Sequence, residues 1–276
     1  MIITVVGLGV IGGSYVQALE GLGHDVYGVD NDVLTLQQAK AEGYIIEGYI
    51  DGHDIVAKSD MTIICLYPSL VLDFIASHSF KKGSLVTDVV GIKSYFLEKA
   101  LAIIDESVEY VSGHPMAGRE KKGYAYASKE VFNNANYIVI EHQQNKKEAI
   151  EFMCQFVSRL GFKSVKIMSP YAHDEIISFT SQLPHMIAVA LMNSDDQKYD
   201  TGKYIGDSFR DLTRIANINA DLWGELFLNN KDYLLASMER FEEQFDCLKH
   251  ALKGNDEESL KRMFQESSLR REKLEK

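Results

Sequence analysis

The sequence predicts an α/β fold: a Rossmann-type, mostly parallel sheet domain followed by an all-helical domain. Three observations predict it. Short β-branched apolar runs alternate with helical patterns up to about residue 168, a glycine-rich turn closes the first of them, and no strand signal follows "MSP" at 168–170.

Taken in order, "IITVVG" (2–7), "DVYGVD" (25–30), "MTIICL" (61–66), "SLVTDVV" (84–90), "EYVSG" (109–113), "NYIVIE" (136–141) and "KSVKIM" (163–168) read as strands. Several are nearly continuous in apolar residues, as strands covered on both faces must be. Their alternation with helices implies βαβ units. Residues 145–160 read as a helix, with Ile150, Met153, Cys154, Val157 and Leu160 on one stripe. Beyond residue 168 only Pro170 and Pro184 interrupt long helical patterns. Leu234, Met238, Phe241, Phe245, Leu248 and Leu252 form a heptad seam, which suits either a helix packed inside its own domain or one packed on a second copy. From Asp256 onward the chain is highly charged and reads as a solvated helix. The expected division is a dinucleotide-binding domain over 1–168 and a helical substrate and dimerisation domain over 169–276.

The chain has 276 residues, enough for one large domain or two ordinary ones, and a net charge of −11. That charge argues against nucleic-acid binding, which needs basic surfaces. Cys65, Cys154 and Cys247 are scattered, which suits a reducing compartment and neither a disulfide framework nor a metal site. No apolar run approaches the ~18 residues that span a bilayer, and the first residues read as a strand rather than a leader. A cytoplasmic protein without membrane contact is expected.

"VVGLGVIGGS" places Gly7, Gly9 and Gly12 in G-x-G-x-x-G spacing between a strand and a helix. Gly7 allows the turn, Gly9 admits a pyrophosphate, and Gly12 lets the helix approach the strand. Val10 and Ile11 open the helix whose N-terminus would meet the phosphates. Asp30 ends the second strand, 18 residues past Gly12. A carboxylate there accepts hydrogen bonds from ribose hydroxyls and repels a 2′-phosphate, so NAD is the expected cofactor.

Hydride transfer from an alcohol carbon needs a proton acceptor. His114 stands just beyond the "EYVSG" strand, at the sheet end where ligands of such folds lie. With a pKa near ~6.5 an imidazole is a neutral base at working pH. Flanking Gly113 and Pro115 would restrict the backbone and aim the ring.

Together and in this order, "GLGVIGGS", "YGVD", "GHPMAG.E", "SQLPH" and "RDLTRIA....LW" resemble the prephenate dehydrogenases of tyrosine biosynthesis, with the related arogenate and cyclohexadienyl dehydrogenases. The resemblance extends from Met1 to about residue 250. It implies an NAD-dependent oxidative decarboxylation in which His114 accepts the C4-hydroxyl proton of prephenate. It further implies that Arg214 pairs with a substrate carboxylate, that His185 lies near the substrate side chain, that Trp223 walls the pocket, and that Glu120 tunes it. Arg210, four residues before Arg214, is a second candidate cation for the anionic substrate. Two departures stand out. Gly91 occupies a position where many relatives carry a serine, so that either a water or Ser112 substitutes or the histidine works less well oriented. Arg119 stands where a small hydroxyl residue is expected. A homodimer through the helical domain is expected. Arogenate dehydrogenase is the close alternative. A β-hydroxyacid-type dehydrogenase would want a lysine in the "SQLPH" helix, which has none, and a dinucleotide sensor would bind without turnover.

Overall fold

The computed structural model describes residues 1–118 and 121–274. Six strands, β1 (Ile2–Val6), β2 (Asp25–Val29), β3 (Glu47–Tyr49), β4 (Met61–Ile64), β5 (Leu85–Asp88) and β6 (Glu109–Tyr110), form an all-parallel sheet in the order 3-2-1-4-5-6. Helices α1 (Val10–Ala18), α2 (Val33–Ala41), α3 (His53–Val56), α4 (Pro68–Ser77) and α5 (Ser94–Ile103) make the crossovers. Strand order reverses between β1 and β4, which opens a crevice at their carboxyl ends. Both faces of the sheet are covered. Ile3 and Val5 pack with Tyr15 and Phe132 on one side, and Val6 packs with Ile64, Val86 and Phe96 on the other.

The sheet differs from expectation in two ways. The short strand β3, polar and glycine-containing, carries no apolar signal and was not foreseen. The runs at 136–141 and 163–168 do not join the parallel sheet: β7 (Gly113–Pro115), β8 (Asn136–Ile140) and β9 (Ser164–Met168) form a second sheet in which β7 and β8 are antiparallel. "EYVSG" is therefore not one strand. Val111 N–H still donates to Val86 O of β5 at 3.0 Å, whereas Ser112 O already accepts from Ile140 N–H at 2.9 Å. The chain changes sheets between these two residues, and His114 lies within β7 rather than past a strand end. Gly113 permits the change: a Cβ there would stand 2.1 Å from the Tyr137 hydroxyl oxygen.

The helix α6 (Lys147–Arg159) packs on this second sheet, with Ile150, Met153, Phe156 and Val157 buried. Helices follow: α7 (Pro170–Ile177), α8 (Leu183–Asn193), α9 (Asp207–Thr213), α10 (Ala220–Asn229), α11 (Lys231–Lys253) and α12 (Glu257–Lys273). A π-helical turn, Ser178–Gln182, joins α7 to α8. Pro184 explains it: proline cannot donate to the carbonyl four residues back and would collide with it, so the turn widens ahead of it. Among the described residues no helix is long and apolar enough to cross a membrane.

Candidate active site

The glycine loop has the shape a dinucleotide needs. Gly7 has φ +81°, which favours glycine, and a Cβ on Gly12 would lie 1.8 Å from Gly7 O. The helix N-terminus thus sits against the turn. Gly9 caps α1 with no side chain, and the space where its Cβ would project is open. Asp30 Oδ2 accepts from Leu8 N–H of the same loop at 2.6 Å, and its Oδ1 accepts from Asp32 N–H at 2.8 Å. This ties the acidic tip of β2 to the loop.

A cavity of about 890 Å³ opens beside the loop, and Gly9, Val10, Ile11, His114, His185 and Trp223 all contribute to its lining. His185 stacks on Trp223 with ring centroids 3.8 Å apart, and its Nδ1 donates to Ser181 O at 2.8 Å. Ser181 and Gln182 of the π-helical turn line the same wall. Lys121 and Lys122 line it as well and bring positive charge, as does Asp221 with negative charge.

His114 is part-buried, and its Nδ1 lies 2.8 Å from His173 Nε2. Its Nε2 lies toward Gly91: a Cβ on that glycine would be 3.7 Å from it. Burial first, and then the neighbouring His173 and Lys93, hold the His114 pKa well below the usual imidazole value. The ring is thus kept as a neutral base facing the cavity.

Behind it lies a network that sequence reasoning missed. Lys93 is fully buried, and its ammonium donates to Asp88 Oδ1 (2.8 Å), Ser112 Oγ (2.9 Å) and Gly113 O (2.7 Å). All three ammonium donors are matched. Asp88 Oδ2 accepts from the Tyr110 hydroxyl at 2.8 Å. Burial pushes the Lys93 pKa down, and Asp88 opposes that shift. "DVVGIK" shows a lysine five residues after an aspartate, but nothing in the string says that both are sealed at the seam between two sheets. Ser112 is thereby corrected as the stand-in for the missing serine, because its hydroxyl is turned toward Lys93 and buried.

Two further expectations divide. Arg210 is exposed on α9 and pairs with Asp207 at 3.6 Å. It is not a lining residue, because its side of the short helix faces solvent. Arg214 begins a 3-10 turn (Arg214–Ala216) and is exposed, while its neighbour Ile215 lines the cavity. Arg119 and Glu120 lie outside the described residues. The two regions meet around the cavity through polar links. Asn219 Nδ2 donates to the Tyr67 hydroxyl at 2.6 Å, and Glu225 Oε1 accepts from Ser69 N–H at 2.6 Å in the first turn of α4. Among the described residues no cluster of three His, Cys, Asp or Glu could hold a metal ion.

Comparison with known proteins agrees with this geometry. A family model described as the prephenate dehydrogenase nucleotide-binding domain matches residues 16–166, and one described as the prephenate dehydrogenase dimerization domain matches residues 169–266. Prephenate dehydrogenase of Bacillus subtilis (strain 168) is 29% identical over 274 residues, which is 95% of this chain and 73% of that protein. Cyclohexadienyl dehydrogenase of Zymomonas mobilis is 26% identical over 279 residues, covering 98% of this chain and 94% of that one. The crystal structure of A. aeolicus prephenate dehydrogenase in complex with hydroxyphenyl propionate and NAD+ superposes with a TM-score of 0.90 at 26% identity, covering 99% and 98% of the two chains. That of Synechocystis arogenate dehydrogenase gives 0.83 at 25% identity, covering 99% and 100%. The chain belongs to the prephenate dehydrogenase family and is an NAD-dependent oxidoreductase.

Proposed function

We propose that the protein converts prephenate to 4-hydroxyphenylpyruvate and carbon dioxide, with His114 as the base. The observation that carries this reading is a single cavity lined by the glycine loop, by His114 and by the His185–Trp223 pair. The open space at Gly9, the uncapped α1 and the bonded Asp30 carboxylate fit a dinucleotide. NAD+, when bound, supplies hydride acceptance. His114 Nε2 takes the proton of the C4 hydroxyl as hydride leaves C4 and the ring carboxylate departs as carbon dioxide, which leaves the ring aromatic. A positioned base contributes ~10²–10⁴ in rate. Trp223 offers a flat apolar wall to the substrate ring, and His185 packs on that wall with its ring centroid 3.8 Å from the indole. Arg214, next to the lining Ile215, and the lysines 121 and 122 are the cations for a dianionic substrate. A guanidinium binds a carboxylate in a fork that an ammonium cannot reproduce.

The second reading is arogenate, whose side chain carries an ammonium. Asp221 in the lining favours it, while the positive charge of Lys121 and Lys122 in the same lining favours the more anionic prephenate. Assaying each substrate with NAD+ for NADH and carbon dioxide separates them. Turnover of prephenate is expected, and turnover of arogenate alone refutes the choice.

The same proposal includes a homodimer through the helical region. Phe245 is 57% exposed and Leu252 64% exposed along the α11 seam, a cost in water that a second copy would remove. Sedimentation of the full chain is expected to show a dimer.

A further inference from the structure

We propose that His173, anchored by Asp174, is a positioning residue that fixes His114 in the tautomer whose bare Nε2 faces the cavity. Asp174 is buried in the middle of α7. Its Oδ1 accepts from His173 Nδ1 at 2.8 Å and from Lys93 N–H at 2.8 Å, and its Oδ2 accepts from Ser94 N–H at 2.6 Å. It therefore closes the N-terminus of α5 while it holds a histidine. Burial works against its ionisation, but the bonds from His173 and Ser94 prevail and keep its carboxyl below the usual range.

The proton inventory then runs outward from that carboxylate. A carboxylate only accepts, so His173 Nδ1 carries a proton. His173 is fully buried, and burial lowers its pKa, which favours the neutral ring. A neutral ring protonated at Nδ1 has a lone pair at Nε2. The contact between His173 Nε2 and His114 Nδ1 at 2.8 Å needs one proton, which His114 Nδ1 must supply. His114 Nε2 is left bare, on the side of Gly91 and the cavity. Two features of this chain make the rear contact matter. Gly91 offers no hydroxyl on the cavity side, and Ser112 is committed to Lys93. Asn230 reinforces the arrangement from below: its Nδ2 donates to Asp174 O at 3.1 Å and to Gln182 Oε1 at 2.8 Å, which ties the relay to the cavity wall.

The catalytic meaning of this assignment rests on His114 being the base, as under the proposed function; the tautomer does not. The test separates the two. In full-length protein labelled with 15N-histidine, the His114 ring signals are assigned by their loss in His114→Asn. At neutral pH the expected spectrum shows a protonated Nδ1 and a bare Nε2 on His114. His173→Gln, which can place an acceptor oxygen near His114 Nδ1, is expected to keep that pattern and most of the turnover. His173→Leu is expected to move the His114 proton to Nε2. It should lower kcat by about 10²-fold, the order expected of a misaligned catalytic group, with NAD+ binding unchanged. A His114 ring protonated at Nε2 in the unmutated protein overturns the proposal even if His173→Leu does not fold. So does a folded His173→Leu that keeps both tautomer and kcat. If His114→Asn itself retains turnover while the tautomer is as expected, the proposed base falls and the ring assignment stands.

Discussion

Every residue of β4 and β5 is buried, and the Lys93–Asp88 ion pair is sealed beneath them. In the helical region α8 has an equally apolar sequence, yet Met186, Ile187 and Val189 are only half-buried and Met192 is 42% exposed. The contrast teaches that the sheet region closes its interior with its own chain, including its charges, whereas the helical region leaves apolar faces for something else to cover. The candidate active site lies where the two meet: a finished scaffold aims His114 from one side, and an unfinished one supplies His185 and Trp223 from the other.

The largest effect expected in the sheet region comes from Lys93→Met. It leaves Asp88 buried without its counter-ion, and breaking such a pair costs about 3–5 kcal/mol. Denaturant unfolding followed through the sheet region reads this; a loss below about 1 kcal/mol, as for a surface ion pair, would mean that the network is not sealed. In the helical region, Phe245→Glu is expected to weaken dimerisation by about 2 kcal/mol or more, the scale of a buried aromatic anchor at an interface. Sedimentation at several concentrations checks it, and an unaltered dimer would move the interface off the α11 seam. Arg214→Ala should raise KM for prephenate roughly 10- to 100-fold, the weight of a charge-assisted hydrogen bond, while Arg210→Ala should leave it unchanged. Equal effects from the two would erase the distinction between rim and solvent face. Smallest is Gly91→Ser. Its Cβ would meet Leu226 at 3.6 Å and His114 Nε2 at 3.7 Å, which is ordinary contact. If the ring is already fixed from behind, the added hydroxyl changes kcat by about tenfold at most.

A pH experiment sharpens the same contrast. Burial lowers the pKa of both His114 and His173 relative to the ~6.5 of an unfolded chain. Between the lowered values and 6.5 the unfolded chain binds more protons, so stability rises with pH through that window and falls as acid is added. The His114 ring stays neutral there too, so with His114 as the proposed base kcat/KM should hold as pH drops through 6.5 and be lost only below it. An acid limb above 6.5 would contradict the burial of the ring.

Much of this was legible in residues. The glycine loop, the carboxylate at the tip of β2 and five of the six parallel strands follow from local patterns, because turn geometry and apolar runs are local demands; β3, polar and glycine-containing, does not. His114 was legible through its glycine and proline neighbours, but its placement was misjudged, because the change of sheet at Ser112 depends on Tyr137, far along the chain. His173, Asp174 and Lys93 were illegible for the same reason. A histidine–aspartate pair inside a helix reads as a solvated face, and only the packing of α7 against α5, with His173 reaching His114, makes it a relay. Arg210 misled in the opposite sense: helical spacing put it near Arg214, but the short α9 turns it outward.

The central claim is that one imidazole takes the substrate proton. His114→Asn, assayed with prephenate and NAD+ for carbon dioxide and NADH, tests it most directly. The account predicts that turnover falls by about 10²–10⁴ while NAD+ binding is unchanged. Turnover close to that of the unmutated protein, with the variant folded, would contradict it.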